Sequence, residues 1–252
     1  MPKISVATHP NSYRITLDDP PLNILDIEML EALRDAIASV KPDRHALILD
    51  AAGDKAFSAG ASVHDHLGDR VVTMLDRFHD CFRMLAKLDL VTVALVRGAA
   101  LGGGCELAMA CDFVLASDRA KFGQPEINLG VFPPVAAYQL SRIAPPRRGL
   151  ELLLTGDTVD ATTAANLGLV NAVFPAAKFE PRANEWLQRL WRQSASSLRF
   201  AKKAFRLAQS ADFDERLAAV ERLYLEDLMK TSDANEGLSA FVEKRKPAWS
   251  GR

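Results

Sequence analysis

Short apolar runs that contain β-branched residues alternate with helical patterns over the first two-thirds of the 252-residue chain. The runs predict strands at 13–17, 46–49, 91–96 and 113–116. Asp26 stands where it can cap a helix whose apolar positions, Met29 to Val40, recur with helical spacing. A second such pattern runs from Val72 to Leu85. Strands that alternate with helices indicate an α/β core.

The pattern changes to helices alone from about residue 180. We predict helices at 184–192, 197–208, 215–229 and 235–244, with little strand signal between them. The sequence therefore predicts an α/β core over residues 1–181 and a C-terminal helical region over 182–252, with the boundary near Pro181.

Charge and cysteine content exclude several classes of protein. The 31 basic and 32 acidic residues balance to a net charge of −1, whereas a nucleic-acid-binding surface concentrates basic residues. The three cysteines form an odd set in apolar surroundings, which favours free thiols in a reducing compartment. Neither a signal peptide within Met1–Ser12 nor a run of about 20 apolar residues is present. We expect a cytoplasmic protein that has no membrane segment and binds no nucleic acid.

Two loops that contain glycine follow predicted strands. The first covers residues 55–62 (KAFSAGAS), and the second covers 98–106 (GAALGGGCE) and leads directly into a short apolar helix. Glycine allows a close backbone approach, so such loops can turn N–H groups toward a ligand. The start of the helix would add further unpaired donors. Either loop alone is also compatible with a simple tight turn, but the pair suits the binding of an oxyanion.

Two carboxylates stand out near these loops. Glu106 is the only polar side chain of its helical segment before Asp112, and Glu126 lies between apolar residues in 122–130 (FGQPEINLG). A buried carboxylate has a raised pKa, which suits it to proton exchange near neutral pH. Water addition to an enoyl thioester needs one group that holds water and another that supplies a proton to carbon. Each glutamate could instead be a satisfied structural carboxylate.

The motifs at 59–61 (AGA), 102–109 (GGGCELAM) and 122–126 (FGQPE) closely resemble those of the crotonase, or enoyl-CoA hydratase/isomerase, superfamily. Further similar segments are 154–157, 165–170 and 236–245, in the family's order. The resemblance implies a spiral of β-β-α turns, with the active site in the 1–181 core and a C-terminal region used for trimer assembly. Trimers, or hexamers built from two trimers, are therefore expected.

The resemblance also implies roles for individual residues. The backbone N–H groups of Ala61 and Gly103 would form the oxyanion hole, Glu106 would position water, and Glu126 would deliver a proton to carbon. The substrate would be an acyl-CoA, so that CoA belongs to the substrate and no separate cofactor is expected. The implied substrate contacts are Ala59, Ser62, Val63, His64, Phe132, Pro133, Phe241 and Lys244, of which the last two could face the CoA of a neighbouring subunit or serve only in packing.

Some positions depart from the common hydratase pattern. A Lys that usually follows the first loop is absent from 62–69 (SVHDHLGD), and 131–137 (VFPPVAA) replaces a glycine-rich stretch. These departures, with 194–200 and 223–229, are similar to cyclohexa-1,5-diene-1-carbonyl-CoA hydratases, which serve anaerobic benzoyl-CoA degradation. The implied reaction is 1,4-addition of water to a cyclic diene, giving 6-hydroxycyclohex-1-ene-1-carbonyl-CoA.

Other functions fit the sequence less well. A general short-chain enoyl-CoA hydratase or isomerase of fatty-acid β-oxidation stays open, although retention of Glu106 favours hydration. His64 and His66 lack further ligands for a metal, and no Gly-x-Ser-x-Gly elbow or Gly-x-Gly-x-x-Gly loop occurs. The superfamily has RNA-binding members, but the balanced charge disfavours that function.

Overall fold

The computed structural model describes residues 3–208 and 213–248. Within these residues, ten strands form two sheets. The strands are β1 Ile4–Thr8, β2 Ser12–Leu17, β3 Ala46–Ala51, β4 Ala56–Ser58, β5 Val91–Val96, β6 Ala99–Leu101, β7 Phe113–Ser117, β8 Lys121–Gly123, β9 Thr158–Asp160 and β10 Ala172–Phe174. The larger sheet has the order β1-β2-β3-β5-β7-β10, and the smaller has the order β4-β6-β8-β9.

Successive strands enter the two sheets in turn. β3, β5 and β7 pair in parallel in the larger sheet, and the strands that follow them, β4, β6 and β8, pair in parallel in the smaller sheet. Each turn of the chain therefore adds one strand to each sheet before a helical segment returns it. This is a spiral of β-β-α turns. Because the ends of neighbouring parallel strands lie side by side, loops that follow β4 and β6 are brought together.

The helices are α1 Ile27–Ser39, α2 Arg70–Lys87, α3 Gly103–Met109, α4 Pro134–Ile143, α5 Pro146–Thr155, α6 Ala161–Asn166, α7 Phe179–Trp191, α8 Ala195–Ala208, α9 Phe213–Arg222 and α10 Ser232–Val242. Asp26 caps α1 as predicted, since its carboxylate accepts a hydrogen bond from the Met29 N–H at 2.8 Å. One position of the predicted α2 face is wrong: Val72 is 55% exposed, while Met74, Leu75 and Phe78 are buried.

The central strands are buried on both faces of the larger sheet. In β3, Leu47 and Leu49 belong to the apolar cluster that α1 and α2 cover, whereas Ala46 and Ile48 belong to the cluster that α7 covers. Strands covered by helices on both sides have continuous apolar sequences, as 46–49 has here. The three cysteines, Cys81, Cys105 and Cys111, are free and buried, as expected for small apolar packing residues.

The C-terminal part is helical, as predicted, but the helix expected at 215–229 is not continuous. α9 ends at Arg222, a π-helical turn covers Leu223–Asp227, and a 3-10 turn covers Leu228–Lys230. Apolar spacing alone does not distinguish a π turn from a regular α-helical turn over so few residues. α10 then packs on a 3-10 turn at Pro125–Leu129, where Gly237 closely approaches the Leu129 carbonyl. The division at residue 181 and the use of this region in trimer assembly stay predictions.

Candidate active site

The loops after β4 and β6 bring the backbone of Ala61 next to that of Gly103. A Cβ atom added to Gly103 would lie 3.2 Å from the Ala61 nitrogen and 2.9 Å from the ring of Phe78. Gly60 has a φ of 106° and would bring a Cβ to 2.9 Å from the Leu101 carbonyl oxygen. These glycines are needed because the two loops touch through their main chains.

Two N–H groups are left for a ligand at this contact. The isolated bridge between Leu25 and Ala61 uses the Gly60 carbonyl and the Ser62 N–H, so it does not consume the Ala61 N–H. Gly103 is the first residue of α3, where no carbonyl of the same helix can be an acceptor. Neither N–H has an acceptor within residues 3–208 and 213–248. The pair can therefore donate two hydrogen bonds to one oxygen atom.

Glu106 projects from α3 into the interior and is 2% exposed. Its Oε1 accepts a hydrogen bond of 2.6 Å from the Ala136 N–H in the first turn of α4. Burial raises the pKa of Glu106 well above its ordinary value, and the charge of Glu126 raises it further, against the opposing effect of the Ala136 and Val135 N–H groups. The Glu106 carboxyl is thus held in a fixed orientation, and its protonation depends on the charge of Glu126.

Glu126 occupies the 3-10 turn Pro125–Leu129, after β8. Its carboxyl lies against Gly102, whose φ of 50° and missing side chain leave the room that this carboxyl takes. Burial raises the pKa of Glu126 to about 7. Its Oε2 is buried and has no hydrogen-bond partner in the described part of the chain. Such a group holds a proton for an appreciable part of the time near neutral pH and can transfer it.

One cavity of about 410 Å³ joins these elements. Ala61, Gly103, Glu106 and Glu126 all line it, and the rest of its wall is mainly apolar. Because the charge of Glu126 opposes ionisation of Glu106, the two carboxyls favour a state in which one of them holds a proton. The arrangement can bind a carbonyl oxygen, hold a small polar nucleophile and exchange a proton with carbon.

The chain matches the model of the family described as enoyl-CoA hydratase/isomerase over residues 9–252. The chain belongs to the enoyl-CoA hydratase/isomerase family. The expectation of an enzyme of the enoyl-CoA hydratase type is thereby confirmed.

Individual members of this family are similar over nearly the whole chain. The cyclohexa-1,5-dienecarbonyl-CoA hydratase of Thauera aromatica is 40% identical, over 95% of this chain and 93% of its own. A probable enoyl-CoA hydratase of Mycobacterium bovis is also 40% identical, over 94% of each chain. The crystal structure of an enoyl-CoA hydratase from Mycobacterium avium subsp. paratuberculosis superposes with a TM-score of 0.87 at 27% identity and covers 98% of each chain. The predicted crotonase-type spiral is confirmed.

Five of the eight predicted substrate contacts line the cavity, namely Ala59, Val63, Phe132, Pro133 and Phe241. The other three do not. Ser62 uses its hydroxyl to cap the 3-10 turn Val63–His66 through the Asp65 N–H, at 3.3 Å. His64 is exposed on that turn, and Lys244 is exposed just beyond α10 with a φ of 56°. A contact of these three residues with the CoA part of a substrate stays a prediction.

The cavity also contains side chains that the sequence analysis did not select. His66 lines it, and its Nδ1–H donates to the Ser62 carbonyl at 2.8 Å. Burial lowers the pKa of His66, so the ring is neutral near pH 7 and its other nitrogen can accept a hydrogen bond. Tyr224, Leu238 and Arg245 come from the C-terminal region. The sequence indicated Tyr224 only indirectly, because the segment 223–229 that contains it resembles one subgroup of the family.

The described residues contain no group of three or more His, Cys, Asp or Glu side chains that could hold a metal ion, and His64 and His66 do not form one. None of the described helices is both long enough and apolar enough to cross a membrane.

Proposed function

We propose that this protein adds water to a carbon–carbon double bond conjugated to the thioester of an acyl-CoA. The observation that carries this proposal is the presence of two buried carboxyls and two free N–H groups on one cavity. The N–H groups of Ala61 and Gly103 bind the thioester carbonyl oxygen. They stabilise the negative charge that this oxygen acquires in the transition state, which the ground state lacks.

The two glutamates divide the proton transfers. The Ala136 and Val135 N–H groups favour the ionised form of Glu106, and a protonated Glu126 places no charge beside it. In that state Glu106 accepts a proton from water while the water oxygen bonds to the β-carbon. The electrons of the double bond move toward the thioester oxygen, and the resulting enolate takes a proton at carbon from Glu126. The raised pKa of Glu126 keeps a proton available for this step at neutral pH. Glu106 gains a proton and Glu126 loses one, so the total charge of the two carboxyls is unchanged. Loss of the proton from Glu106 to solvent and uptake of one by Glu126 restore the starting state.

For the substrate we propose cyclohexa-1,5-diene-1-carbonyl-CoA, which would give 6-hydroxycyclohex-1-ene-1-carbonyl-CoA in anaerobic benzoyl-CoA degradation. The similarity to the cyclohexa-1,5-dienecarbonyl-CoA hydratase of Thauera aromatica supports this choice. So does the wall built by Val131, Phe132 and Pro133, because rigid apolar side chains complement a flat ring better than a flexible chain. The hydroxyl would join the β-carbon, and Glu126 would protonate the far end of the diene.

A general enoyl-CoA hydratase is the second candidate, because the relative from Mycobacterium bovis is equally similar at 40% identity.

We further propose that the enzyme is a cytoplasmic homotrimer or homohexamer. The exposure of Phe200 and Phe205 on α8, at 70% and 67%, supports self-association.

The test compares hydration of crotonyl-CoA with hydration of cyclohexa-1,5-diene-1-carbonyl-CoA, followed spectrophotometrically, with the products identified by mass spectrometry. We expect selective turnover of the cyclic diene. Faster hydration of crotonyl-CoA would support the second candidate, and inactivity on both would contradict hydration itself.

Glu126→Gln tests the mechanism in the same assay. We expect the turnover number to fall by about 10²- to 10⁴-fold, the usual contribution of a general acid or base. Glu185→Gln, at an exposed position on α7, is the matched control and should keep the unmodified rate. A Glu126→Gln enzyme with full activity would remove Glu126 from the mechanism.

A further inference from the structure

Tyr224 lies in the π-helical turn Leu223–Asp227 and is 1% exposed. Its ring meets the ring of Phe132 edge to face, with centroids 5.4 Å apart and an interplanar angle of 74°. Both residues line the cavity that contains Glu106 and Glu126. π turns interrupt helices frequently at functional sites, because the extra residue redirects the side chains around it. The packing against Phe132 fixes where the Tyr224 hydroxyl points.

The hydroxyl of Tyr224 is buried and has no hydrogen-bond partner in the described part of the chain. Buried polar groups in native proteins are almost always paired, because an unpaired one loses its hydrogen bonds to water without replacement. The Oε2 atom of Glu126, on the same cavity, is also buried and unpaired within the described residues. Two unpaired polar groups on one cavity are both available to hydrogen-bond a polar ligand atom.

The chemistry of the two unpaired groups is complementary. Burial and the charges of Glu126 and Glu106 raise the pKa of Tyr224, so its phenol keeps its proton throughout the neutral range. Tyr224 can therefore donate a hydrogen bond, whereas an ionised carboxylate can only accept one. A protonated Glu126 still accepts a hydrogen bond at its carbonyl oxygen, so a water that donates one hydrogen to each glutamate has two lone pairs left. One lone pair attacks carbon, and the other is free to accept a hydrogen bond.

We propose that the Tyr224 hydroxyl donates this hydrogen bond, and so binds first the attacking water and then the hydroxyl group of the product. The proposal rests on the hydratase function proposed above and adds a third polar group to the reacting centre. The thioester oxygen is a less suitable acceptor, because Ala61 and Gly103 already supply two donors for it. Tyr224 instead lies where the charges of both glutamates act on it.

Tyr224→Phe is the informative variant, since it keeps the ring that packs on Phe132 and removes only the hydroxyl. It is introduced into the full-length Glu126→Gln protein, in which thioesters are bound without turnover. Calorimetry then measures the affinity for two pairs of ligands. One pair is 6-hydroxycyclohex-1-ene-1-carbonyl-CoA with cyclohex-1-ene-1-carbonyl-CoA. The other pair is 3-hydroxybutyryl-CoA, as both enantiomers, with butyryl-CoA.

We expect Tyr224→Phe to weaken binding of a hydroxylated ligand by about 5- to 10-fold, in line with one hydrogen bond. Binding of its partner without the hydroxyl should change by less than about 2-fold, which also shows that the variant is folded. In the protein with Glu126 intact, the turnover number should fall by about 10-fold while KM stays within about 2-fold. Tyr13→Phe is the control, because it also removes a phenol hydroxyl. The Tyr13 hydroxyl donates to Asp43 at 2.8 Å and does not line the cavity, so this variant should change none of these quantities.

Several results would overturn the proposal. Equal weakening of both members of a pair would show that Tyr224 only shapes the wall, and no weakening of either would show that the hydroxyl is idle. A rise in the apparent pKa of the pH–rate profile would show that the phenol donates to Glu126 instead of to the ligand. Failure of all five thioesters to bind would overturn this proposal and the proposed function together. Tyr224→Phe could selectively weaken binding of the hydroxylated ligands in a protein that hydrates neither test substrate. That result would support the hydrogen bond from Tyr224 to the ligand hydroxyl and would contradict only the proposed function.

Discussion

The cavity is built by two regions in different ways. The α/β core contributes main-chain N–H groups and two carboxyls, held where loops touch so closely that a single added Cβ would collide. The C-terminal region contributes side chains, Tyr224, Leu238 and Phe241, that cover the same cavity. In the core, position depends on the backbone, so the chemistry tolerates almost no change in shape. In the cover, position depends on side-chain size, so changes at apolar residues such as Leu238 and Phe241 can alter which substrates fit without loss of the chemistry. Tyr224 is the cover residue that we place on the reacting water.

A change in the core should have the largest effect. Gly103→Ala would place a Cβ 2.9 Å from Phe78 and 3.2 Å from the Ala61 nitrogen, which forces the two N–H groups apart. We expect kcat/KM for hydration to fall by about 10²- to 10³-fold, the usual cost of losing one donor to an oxyanion. Steady-state kinetics measure this effect.

Ala61→Gly is the matched control, because it keeps the N–H and removes only a methyl group. Its kcat/KM should stay within about 3-fold of the unmodified enzyme. If Gly103→Ala proved equally harmless, the contact between the two loops would not be the site of the chemistry, and the contrast between core and cover would lose its basis.

A change at Phe241, a cover residue with no polar group, should act on binding and not on turnover. Phe241 is 54% exposed and lines the cavity, whereas its neighbour Val242 is 37% exposed and does not. We expect Phe241→Ala to raise KM by about 3- to 10-fold with kcat nearly unchanged, because it removes a contact that is the same in the ground and transition states. Val242→Ala should leave both constants unchanged. A fall in kcat for Phe241→Ala would mean that Phe241 itself takes part in the chemical step.

The smallest effect concerns the stability of the core. As the pH rises from about 4.5 to about 7, the unfolded chain loses the Glu126 proton and the folded chain keeps it. The free energy of unfolding therefore falls over this interval and stays lower above it. Glu126→Gln carries no such charge, so we expect its Tm to exceed that of the unmodified protein by a few °C at pH 8 and by less at pH 5.

Differential scanning calorimetry at the two pH values measures this difference, with Glu185→Gln as the exposed control. An equal Tm difference at both pH values would show that burial does not disfavour the ionised form of Glu126. The core would then contain no carboxyl that lowers its stability at neutral pH.

The sequence predicted the core better than the cover. The strands at 46–49 and 91–96 are identifiable because burial on both faces requires continuous apolar runs. Glu106 and Glu126 were identifiable because a carboxylate among apolar residues is costly without a function or partner. Their meeting on one cavity follows from parallel pairing of β4, β6 and β8, which no local pattern encodes.

The cover was harder to predict because its residues act through tertiary position. Tyr224 looks like any apolar position of a helix until the π turn and the contact with Phe132 place it on the cavity. Ser62 and His64 show the opposite case: they stand beside the oxyanion loop in sequence, but a 3-10 turn directs Ser62 to a cap and leaves His64 exposed. Where the chain turns sharply, nearness along the chain does not by itself place a side chain on the cavity, and the contacts of Ser62 and His64 with the substrate stay predictions.

Because the cysteines are buried, the rate of their alkylation can measure how often the structure around them opens. Burial raises the pKa of all three thiols, that of Cys81 to about 12, and only a thiolate attacks an alkylating reagent readily. The folded enzyme should therefore be inert to maleimides without any engineered shielding. Since Cys105 directly precedes Glu106, the rate at which Cys105 becomes alkylated would report how often α3 detaches from its surroundings. A ligand in the cavity should slow that reaction, so that occupancy could be read from a mass spectrum without any turnover.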